Sequence, residues 1–577
     1  MISASLPPLE RRWVGVPAPE RSTVEQLRRD LSLPEPLCRL LAQRGHGSPD
    51  AARAFLRPHS AQIEAPAQLA GVADATARLR RALNERETVL VHGDYDVDGI
   101  CGAALLVRAL GMMGIRAVPF VPRRLQDGYD LTDAGIGAAR TAGAALILTV
   151  DCGIVAHAAI ARARAAGIDV VVSDHHTPSD TLPETNAVVN PHRPDCTYPN
   201  KGLCGTGVAW KLCCALAAEL GFPEDRLHAL LDLVAVATVA DLMPLLGENR
   251  TLVRWGLRVL ARTPNAGLRA LLSATGLDDR PELGASEVGY VLAPRLNAVG
   301  RLGDAMQGVR LLLTDDPSEA ARIAALLEAE NRRRQTVDRA TLREALDALE
   351  RGYDPARDRG VVLAAEGWHP GVIGIVASRV VERIHRPVVL IALDGGGEAR
   401  GSARSIAGFH LHDALLGCAE HLVRFGGHRY AAGCSILPGR VEPFRAAFNA
   451  RAHRDTGEDA PVPEIRIDAE LRLAEADGEL VRMLRHLGPF GPGNPAPVFA
   501  ARGVRVGSGA RVVGGGHLKL GLTSDSGALD AIGFGMGSRL GGELHEGAVM
   551  DAAFRLEENH WGGRTSVQAK LIDVRPA

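Results

Sequence analysis

Between residues 70 and 245 the chain alternates short apolar runs with longer, alanine-rich stretches whose apolar positions recur at helical spacing. The short runs have the length of buried strands, and the stretches between them have the length of helices. Strands that alternate with helices in this way predict an α/β domain with a parallel, doubly wound sheet. The strands are predicted at 88–91, 117–121, 145–150, 170–173 and 187–189.

The pattern differs on both sides of this region. An N-terminal arm and a helical hairpin are predicted up to residue 65, because Ser48-Pro49-Asp50 has the form of a helix N-cap followed by proline. The stretch 317–351 has one apolar face and no internal breaker, which predicts a long helix that connects two domains. A second α/β domain follows, with strand-like runs at 360–365 and 387–393. A helix is predicted between these runs, at 372–384.

From about residue 460 onward the pattern becomes one of short strands separated by glycine, for example at 517–520 and 566–571. This pattern is typical of a small β-barrel. A chain of 577 residues is too long for one core, and its length alone suggests roughly three or four domains. The predicted divisions are an arm and hairpin at 1–65, the first α/β domain at 66–270, a helical linker at 271–352, the second α/β domain at 353–457 and the barrel at 458–577.

One acidic motif stands where the first predicted strand ends and a helix begins. Residues 92–99 read His-Gly-Asp-Tyr-Asp-Val-Asp-Gly. Open α/β sheets bind their ligands beyond the carboxyl ends of the strands. Three aspartates and a histidine this close together repel one another unless cations neutralise them, so the motif indicates a metal site. The alternative is a solvated acidic turn.

Similar side chains follow other predicted strands and one helix. Asp151 ends the third strand, Asp174-His175-His176 ends the fourth, and Asp241 ends an apolar helix just before a proline. Each acid has an ordinary explanation as a helix cap or a surface carboxylate. Their recurrence at corresponding ends of one βαβ framework favours a shared cation site over unrelated caps.

Composition limits the partners. Apolar residues make up 46% and charged residues 23% of the chain, and the net charge is −2, so a nucleic-acid surface has to be local. No apolar run is long enough to span a bilayer and no secretory signal is present, which predicts a cytoplasmic protein without a membrane partner. The nine cysteines include no Cys-x-x-Cys pair and are expected to be small buried hydrophobic residues.

The motifs together resemble the DHH phosphoesterase family, which is named for the pattern found here as Asp174-His175-His176. Within it the chain is most similar to the RecJ-type exonucleases, which are specific for single-stranded DNA. The similarity extends over nearly the whole chain. It includes Pro294-Arg295-Leu296-Asn297-Ala298-Val299-Gly300-Arg301-Leu302-Gly303-Asp304, Gly367-Trp368-His369-Pro370-Gly371-Val372-Ile373-Gly374, Gly401-Ser402-Ala403-Arg404-Ser405-Ile406, Phe425-Gly426-Gly427-His428 and Gly488-Pro489-Phe490-Gly491 through Pro497.

This resemblance implies an exonuclease that releases mononucleotides from the 5′ end of single-stranded DNA during repair and recombination. It also implies that the second α/β domain is the DHH-associated domain, which binds substrate, and that the barrel is an OB-fold that grips single strands. A single-strand-binding protein and a helicase are the protein partners that it suggests.

Hydrolysis of a phosphodiester by this route uses two cations about 3.5–4 Å apart. Carboxylates with one or two imidazoles suit Mn²⁺, our first choice, or Mg²⁺. The resemblance implies that Asp151 bridges the two ions and that Asp94 lies outside the ligand set. His176 is expected to contact the scissile phosphate or to act as general acid, and Asp174 to orient an imidazole. The other ligands that it implies are Asp96, Asp98, His175 and Asp241, with His92 as an additional candidate.

Recognition of a 5′-phosphate requires guanidinium and hydroxyl donors. The family positions for this role are Arg301, Ser402 and Arg404, and Arg124 and His428 are further candidates. For each arginine the alternative is an interdomain salt bridge. Asp130 stands where the family pattern has a glycine, which puts the local turn and the role of Arg124 in doubt.

Two other functions are compatible with the motifs. A DHH enzyme of small phosphates, such as short oligonucleotides, cyclic dinucleotides or pyrophosphate, would not need the C-terminal barrel. A replication scaffold without catalysis would have lost metal ligands, whereas every carboxylate and histidine that the family pattern requires is present here.

Overall fold

The structure is a computed structural model that describes residues 9–577 except 125, 394, 396, 458, 460, 541–543, 562 and 563. Its strands are β1 Arg12–Gly15, β2 Thr88–Gly93, β3 Arg116–Phe120, β4 Ala144–Val150, β5 Asp169–Ser173, β6 Ala187–Val189, β7 Val361–Glu366, β8 Val388–Leu393, β9 Ala399–Arg404, β10 Arg424–Gly427, β11 Ala431–Ile436, β12 Glu464–Ile467, β13 Ala469–Glu470, β14 Phe499–Val506, β15 Arg511–Val513, β16 His517–Ser524, β17 Gly527–Gly533, β18 Val549–Trp561 and β19 Arg564–Pro576.

The helices are α1 Arg21–Leu31, α2 Glu35–Gln43, α3 Pro49–Leu56, α4 Val72–Asn84, α5 Val97–Met112, α6 Asp133–Thr141, α7 His157–Ala165, α8 Gly205–Leu220, α9 Asp225–His228, α10 Leu231–Ala240, α11 Gly247–Leu260, α12 Ala266–Ala274, α13 Ala285–Glu287, α14 Ala293–Leu302, α15 Met306–Leu313, α16 Pro317–Gly352, α17 Ile373–Ile384, α18 Leu411–Leu416, α19 Val441–Thr456 and α20 Gly478–Arg485. The chain forms two structural units. Among the described residues, the larger contains 14–300, 304–325 and 466–577, and the smaller contains 9–13, 301–303 and 326–465.

The larger unit contains a five-stranded sheet in the order β3-β2-β4-β5-β6, and every strand pair in it is parallel. The predicted parallel sheet is therefore confirmed. Strand order reverses at β2, because the chain first adds β3 on one side and then returns to add β4 on the other. Ligand sites of such sheets lie in the crevice at this reversal, beyond the carboxyl ends of the two central strands.

The turn after β2 is fixed by its own side chains. Asp96 is the N-cap of α5, and its Oδ1 accepts hydrogen bonds from the backbone N–H groups of Asp98 at 2.9 Å and Gly99 at 3.1 Å. A Cβ at Gly99 would lie 2.3 Å from the backbone nitrogen and oxygen of Asp94, so only glycine fits there. The acidic motif therefore folds into a tight strand-to-helix turn.

The C-terminal barrel belongs to the same unit. Its sheet runs β13-β14-β18-β19-β17-β16-β15, and an additional pairing between β14 and β16 closes a ring of five strands. A closed five-stranded barrel is the architecture of an OB-fold. Its core is continuous with the apolar faces of α1 to α3, because Leu27, Leu37, Leu41, Phe499 and Phe554 belong to one buried cluster. The sequence pattern did not indicate that the N-terminal helices pack on this barrel.

The smaller unit contains a mixed sheet in the order β10-β11-β9-β8-β7, in which only β7 and β8 are parallel. The long connecting helix predicted at 317–351 is confirmed as α16, which has 36 residues. The helix α17 runs between β7 and β8, as predicted. The second α/β arrangement is thus present.

All nine cysteines are buried and none forms a disulfide, as their pattern predicted. Among the described residues, no helix combines the length and the apolar character that crossing a bilayer requires.

Candidate metal centre and phosphate-binding residues

Carboxylates and imidazoles converge beyond the carboxyl ends of β2, β4 and β5. Three sets of side chains each bring their ligand atoms within 4.8 Å of one another. Asp151 belongs to two of these sets and His175 belongs to two, so the sets overlap in space. They are Asp94 with Asp96 and Asp151, Asp98 with His175 and Asp241, and Asp151 with His175 and His176.

Asp98 and Asp151 are held by the start of α8. The backbone N–H groups of Gly205 and Thr206 donate to the two carboxylate oxygens of Asp98, at 2.6 and 2.8 Å. Asp151 has a left-handed backbone with φ of 64°. A Cβ at Gly205 would lie 2.6 Å from the Cβ of Asp151, so this glycine permits the close approach. A strained non-glycine residue is often part of a functional site.

His175 lies at the centre of the acidic groups. Its Nε2 atom is 3.0 Å from Asp151 Oδ1, 3.7 Å from Asp241 Oδ2 and 3.8 Å from Asp98 Oδ2. Nε2 is buried and forms no hydrogen bond, and the same holds for Asp241 Oδ2. Asp94 Oδ1 is also buried without a partner. Unpartnered buried donors and acceptors are costly, and a shared cation would satisfy them.

The pKa shifts of the carboxylates also favour a shared cation. Burial, followed by the charge of Asp96, raises the pKa of Asp94 well above its ordinary value. Burial and then the charges of Asp98 and Asp96 raise the pKa of Asp151 well above the ordinary value and that of Asp241 to about 8. The carboxylates thus oppose one another's ionisation, and divalent cations would remove this repulsion. Oxygen ligands with one or two imidazoles suit Mn²⁺ or Mg²⁺.

Asp174 and His176 form a separate pair at the edge of the cluster. His176 Nδ1 lies 2.8 Å from Asp174 Oδ1, which also accepts hydrogen bonds from the backbone N–H groups of His175 and His176. Burial lowers the pKa of His176, but the hydrogen bond to Asp174 and its charge outweigh it and raise the pKa to about 9. Burial opposes the charge of Asp174, yet the contacts with His176 keep the pKa of that carboxyl below its ordinary value. The hydrogen bond to Asp174 therefore fixes the orientation of the His176 ring and favours its protonated form.

His92 lies apart from the three sets. It is fully buried, and its Nδ1 is 3.6 Å from the Sγ atom of Cys152. Its Nε2 faces α6, since a Cβ at Gly135 would lie 2.7 Å away. Asp94, which was predicted to lie outside the ligand set, has a carboxylate oxygen within 4.8 Å of carboxylate oxygens of Asp96 and Asp151.

The acidic turn is held in place by α14, whose role the sequence did not reveal. Asn297 Oδ1 accepts a hydrogen bond from the backbone N–H of Val97 at 3.2 Å. A Cβ at Gly300 would lie 2.0 Å from the carbonyl oxygen of Tyr95, so the helix backbone packs directly on the turn. The only signal was that both residues stand in the family motif at 294–304.

In the smaller unit three of the expected phosphate-binding residues lie around the start of α17. Arg301 Nη1 donates to the carbonyl oxygen of Gly371 at 3.2 Å, and Arg404 Nη1 donates to Ser402 Oγ at 3.3 Å. A Cβ at Gly374 would lie 2.8 Å from Ser402 Oγ and 3.0 Å from Arg404 Nη2. A helix N-terminus flanked by guanidinium and hydroxyl donors suits a phosphate.

His428 and Arg124 differ from this group. His428 is exposed in the turn between β10 and β11, where its backbone N–H donates to Ala431, the β11 partner of Arg404. Arg124 lies in the larger unit, with its guanidinium 5.1 Å from the ring centroid of Tyr95. The Tyr95 ring contacts Tyr129 edge-on at 6.2 Å, and Tyr129 contacts His176 in the same way at 6.4 Å.

Asp130, which stands where the family pattern has a glycine, adopts a backbone conformation that aspartate tolerates. Its φ is 72°, in the left-handed region that favours glycine and that aspartate tolerates better than most residues. Its carboxylate accepts a hydrogen bond from the backbone N–H of Leu131 at 2.8 Å. The turn is therefore retained without glycine.

Comparison with known proteins agrees with this architecture. Residues 88–238 match the DHH family N-terminal domain, 358–454 match the DHHA1 domain and 467–573 match the RecJ OB domain. The single-stranded-DNA-specific exonuclease RecJ of Dickeya dadantii is 40% identical over 565 residues, which are 94% of this chain and 96% of that protein. RecJ from Thermus thermophilus in complex with Mn²⁺ superposes with a TM-score of 0.84 at 34% identity, covering 98% of this chain and 80% of that one. Its complex with Mg²⁺ gives 0.79 at 33% identity, covering 98% and 78%.

The doubly wound sheet and the aspartate and histidine groups at its strand ends define a protein of the DHH class. Within this class, the family is shown by the DHHA1 and OB domains and by the high identity over almost the whole chain. The chain belongs to the RecJ family.

Proposed function

We propose that this protein is a metal-dependent exonuclease that degrades single-stranded DNA from the 5′ end, releases mononucleotides and serves DNA repair and recombination. The observation that carries the proposal is the overlap of three aspartate and histidine sets that share Asp151 and His175. The activity of the RecJ relatives, given by their name as single-stranded-DNA-specific exonucleases, supports the same substrate. Degradation from the 5′ end is supported by the phosphate donors around the start of α17.

Two cations are proposed, Mn²⁺ by preference or Mg²⁺. Asp94, Asp96 and Asp151 would hold one, and Asp98, His175 and Asp241 would hold the other, with Asp151 close enough to both to bridge. Bound there, the ions make a water molecule nucleophilic at neutral pH and neutralise charge on the phosphodiester oxygens. His92 remains a candidate only if its ring turns away from Cys152.

The protein's own groups supply the proton chemistry. His176 donates its Nδ1 proton to Asp174, which leaves the Nε2 proton for the leaving oxygen of the product. The hydrogen bond to Asp174 and the charge of Asp174 raise the pKa of His176, which favours the charged ring that a general acid requires. Asp174 is almost completely buried, so it acts through His176 rather than on the substrate.

The 5′-phosphate is proposed to bind at the N-terminus of α17, between Arg301, Ser402 and Arg404. Backbone N–H groups and guanidinium donors favour the charged end of a strand over a hydroxyl end. His428 and Arg124 are proposed to contact neighbouring phosphates.

The barrel is proposed to hold the single strand. Phe534 is half exposed, its ring contacts His517 edge-on at 4.9 Å, and Lys570 Nζ lies 5.1 Å from its centroid. An exposed aromatic ring beside a cation offers both a stacking face for a base and charge for the backbone. This surface favours the exonuclease over an enzyme of small phosphates.

A cytoplasmic location and the partnership with a single-strand-binding protein and a helicase are proposed on the family resemblance. The deciding experiment for the activity is release of nucleotides from 5′-phosphorylated single strands with Mn²⁺, compared with 5′-hydroxyl strands, duplexes and dinucleotides. Release from phosphorylated long strands is expected to be fastest. Equal rates on dinucleotides would favour the small-phosphate enzyme, and no release from any strand would favour the scaffold.

A further inference from the structure

The position of Asp241 depends on the segment that follows it. Asp241 caps the C-terminus of α10, and Leu242 takes a left-handed backbone with φ of 57°. The backbone N–H of Met243 then donates to the carbonyl oxygen of Thr238 at 3.1 Å, which ends the helix. Whatever fixes residues 242–246 therefore fixes the direction of the Asp241 carboxylate.

A loop that leads into the barrel packs against this segment. This loop, residues 488–497, is called the GPG loop after its sequence Gly491-Pro492-Gly493. The backbone N–H of Leu245 donates to the carbonyl oxygen of Pro492 at 2.8 Å. A Cβ at Gly491 would lie 2.7 Å from Leu245 Cδ1, and one at Gly493 would lie 2.9 Å from Leu246 Cδ1. Leu245 is only 1% exposed, so its side chain has little room to move away.

The GPG loop is itself held firmly. Asn494 is 1% exposed, and its Nδ2 donates to the carbonyl oxygens of Leu487 and Pro489, both at 2.8 Å. Arg44, at the end of α2, donates to Asn494 Oδ1 and to the carbonyl oxygen of Pro495. Arg250 on α11 donates to the carbonyl oxygen of Leu487 at 2.8 Å. The loop is thus held internally by Asn494, from α2 by Arg44 and, at the residue that precedes it, by Arg250 on α11, so it can act as a rigid support.

The opposite side of the segment is also fixed. Asn249 Nδ2 donates to the carbonyl oxygen of Pro244 at 3.1 Å and to that of Gly202. The segment after Asp241 is thus clamped between α11 and the GPG loop.

We propose that Gly491 and Gly493 are positioning residues that set Asp241 for metal binding and so connect the barrel to the metal centre. The inference rests on the proposed function, in which Asp241 is a metal ligand. Glycine is needed at 491 because a side chain would push the buried Leu245 and tilt the end of α10. It is needed at 493 because the backbone there is left-handed, with φ of 75°. Affinity for Mn²⁺ should therefore depend on a loop that contains no metal ligand.

Gly491→Ala tests this inference, because its backbone is not left-handed and only the contact with Leu245 changes. We expect its affinity for Mn²⁺ to fall by about 10- to 100-fold, as when groups that orient metal ligands are changed. Calorimetric titration of Mn²⁺ into the metal-free full-length protein measures this directly. The KM for a long single strand should stay within about twofold. The matched control is Gly514→Ala in the turn before β16, where a Cβ meets nothing within 4 Å.

Leu245→Val provides the rescue. It removes the Cδ1 atom that the new methyl group meets, so the double variant should recover most of the Mn²⁺ affinity lost in Gly491→Ala. If Gly491→Ala does not fold, Leu245→Val alone should weaken Mn²⁺ binding severalfold, because the contact with the loop is lost. Normal Mn²⁺ binding in the folded variants would overturn the inference. Wild-type protein that releases no nucleotides would instead overturn the proposed function.

Discussion

His175 Nε2 lies 3.0 Å from Asp151 Oδ1, yet the two atoms are not aligned as a hydrogen bond. Two buried polar atoms at this distance without a bond are unfavourable unless a third group satisfies both. Asp98 and Asp241 approach the same nitrogen within 3.8 Å. This arrangement could hold shared cations, and the first two predictions depend on it.

Asp151→Asn should abolish Mn²⁺-dependent hydrolysis, with a loss of more than about 100-fold. Loss of a group that only orients a metal ligand costs up to about 100-fold, and loss of the ligand itself should cost more. In EDTA the variant should melt at or above the wild-type temperature, because a buried carboxylate repelled by Asp98 and Asp96 has been neutralised. Nuclease assays and thermal melts with and without Mn²⁺ measure both effects. A variant that retains turnover would show that Asp151 does not bridge.

Mn²⁺ binding should release protons. The raised pKa values of Asp94, Asp151 and Asp241 mean that the metal-free protein carries protons that the ions must displace. Because protons compete with metal, affinity should rise as the pH increases towards about 8, the pKa of Asp241. Calorimetry at pH 7 in two buffers with different ionisation enthalpies counts the protons. Identical heats in both buffers would contradict the prediction.

Arg404→Ala should reduce the preference for 5′-phosphorylated over 5′-hydroxyl strands. The loss should be about 10- to 150-fold, which corresponds to a charge-assisted hydrogen bond of about 1.5–3 kcal/mol. The measurement is kcat/KM on both kinds of end. Arg424→Ala is the control, because Arg424 is exposed on β10, which β11 separates from β9 and Arg404, and bonds to Ser435. Equal losses on both ends would remove Arg404 from the end-recognition site.

Phe534→Ala should raise the KM for long single strands by roughly 5- to 150-fold, since stacking of one base contributes about 1–3 kcal/mol. Hydrolysis of a dinucleotide should hardly change, because a dinucleotide does not reach the barrel. Phe534→Trp should retain binding. Point substitution is preferable to deletion of the barrel, whose core is shared with α1 to α3. Parallel losses on dinucleotide and long strand would contradict the assignment of Phe534 to strand binding.

Asp232 should make the fold less stable as the pH rises from about 4 to about 6. Burial raises its pKa from 3.8 to about 6, although the hydroxyl of Thr263 donates to its Oδ2 at 2.5 Å. In this window the folded protein binds more protons than the unfolded chain, so the free energy of unfolding falls with increasing pH. Asp232→Asn cannot ionise and should remove this fall, at most about 3 kcal/mol. Denaturant titrations of both proteins in EDTA at pH 4.5 and 7 measure their free energies of unfolding. If the difference in this free energy between the two proteins is the same at both pH values, the prediction is refuted.

The sequence by itself determined the elements and the chemistry. Every strand of the parallel sheet was predicted from its apolar run, to within two residues at either end, because buried strands of a parallel sheet read as continuous hydrophobic segments. Asp96, Asp151, His175 and Asp241 were selected because acidic and imidazole groups recur at corresponding ends of one βαβ framework and match the family motifs. The family motifs added the names of the domains and the substrate.

Tertiary structure alone decided which side chains meet. His92 and Asp94 stand two residues apart, yet the imidazole of the first turns towards Cys152 while the carboxylate of the second joins Asp96 and Asp151. The packing of α1 to α3 on the barrel and the contact of Gly491 with Leu245 join residues that are hundreds of positions apart. Local propensity and spacing carry no information on such contacts, because they arise only when separately formed elements pack against one another.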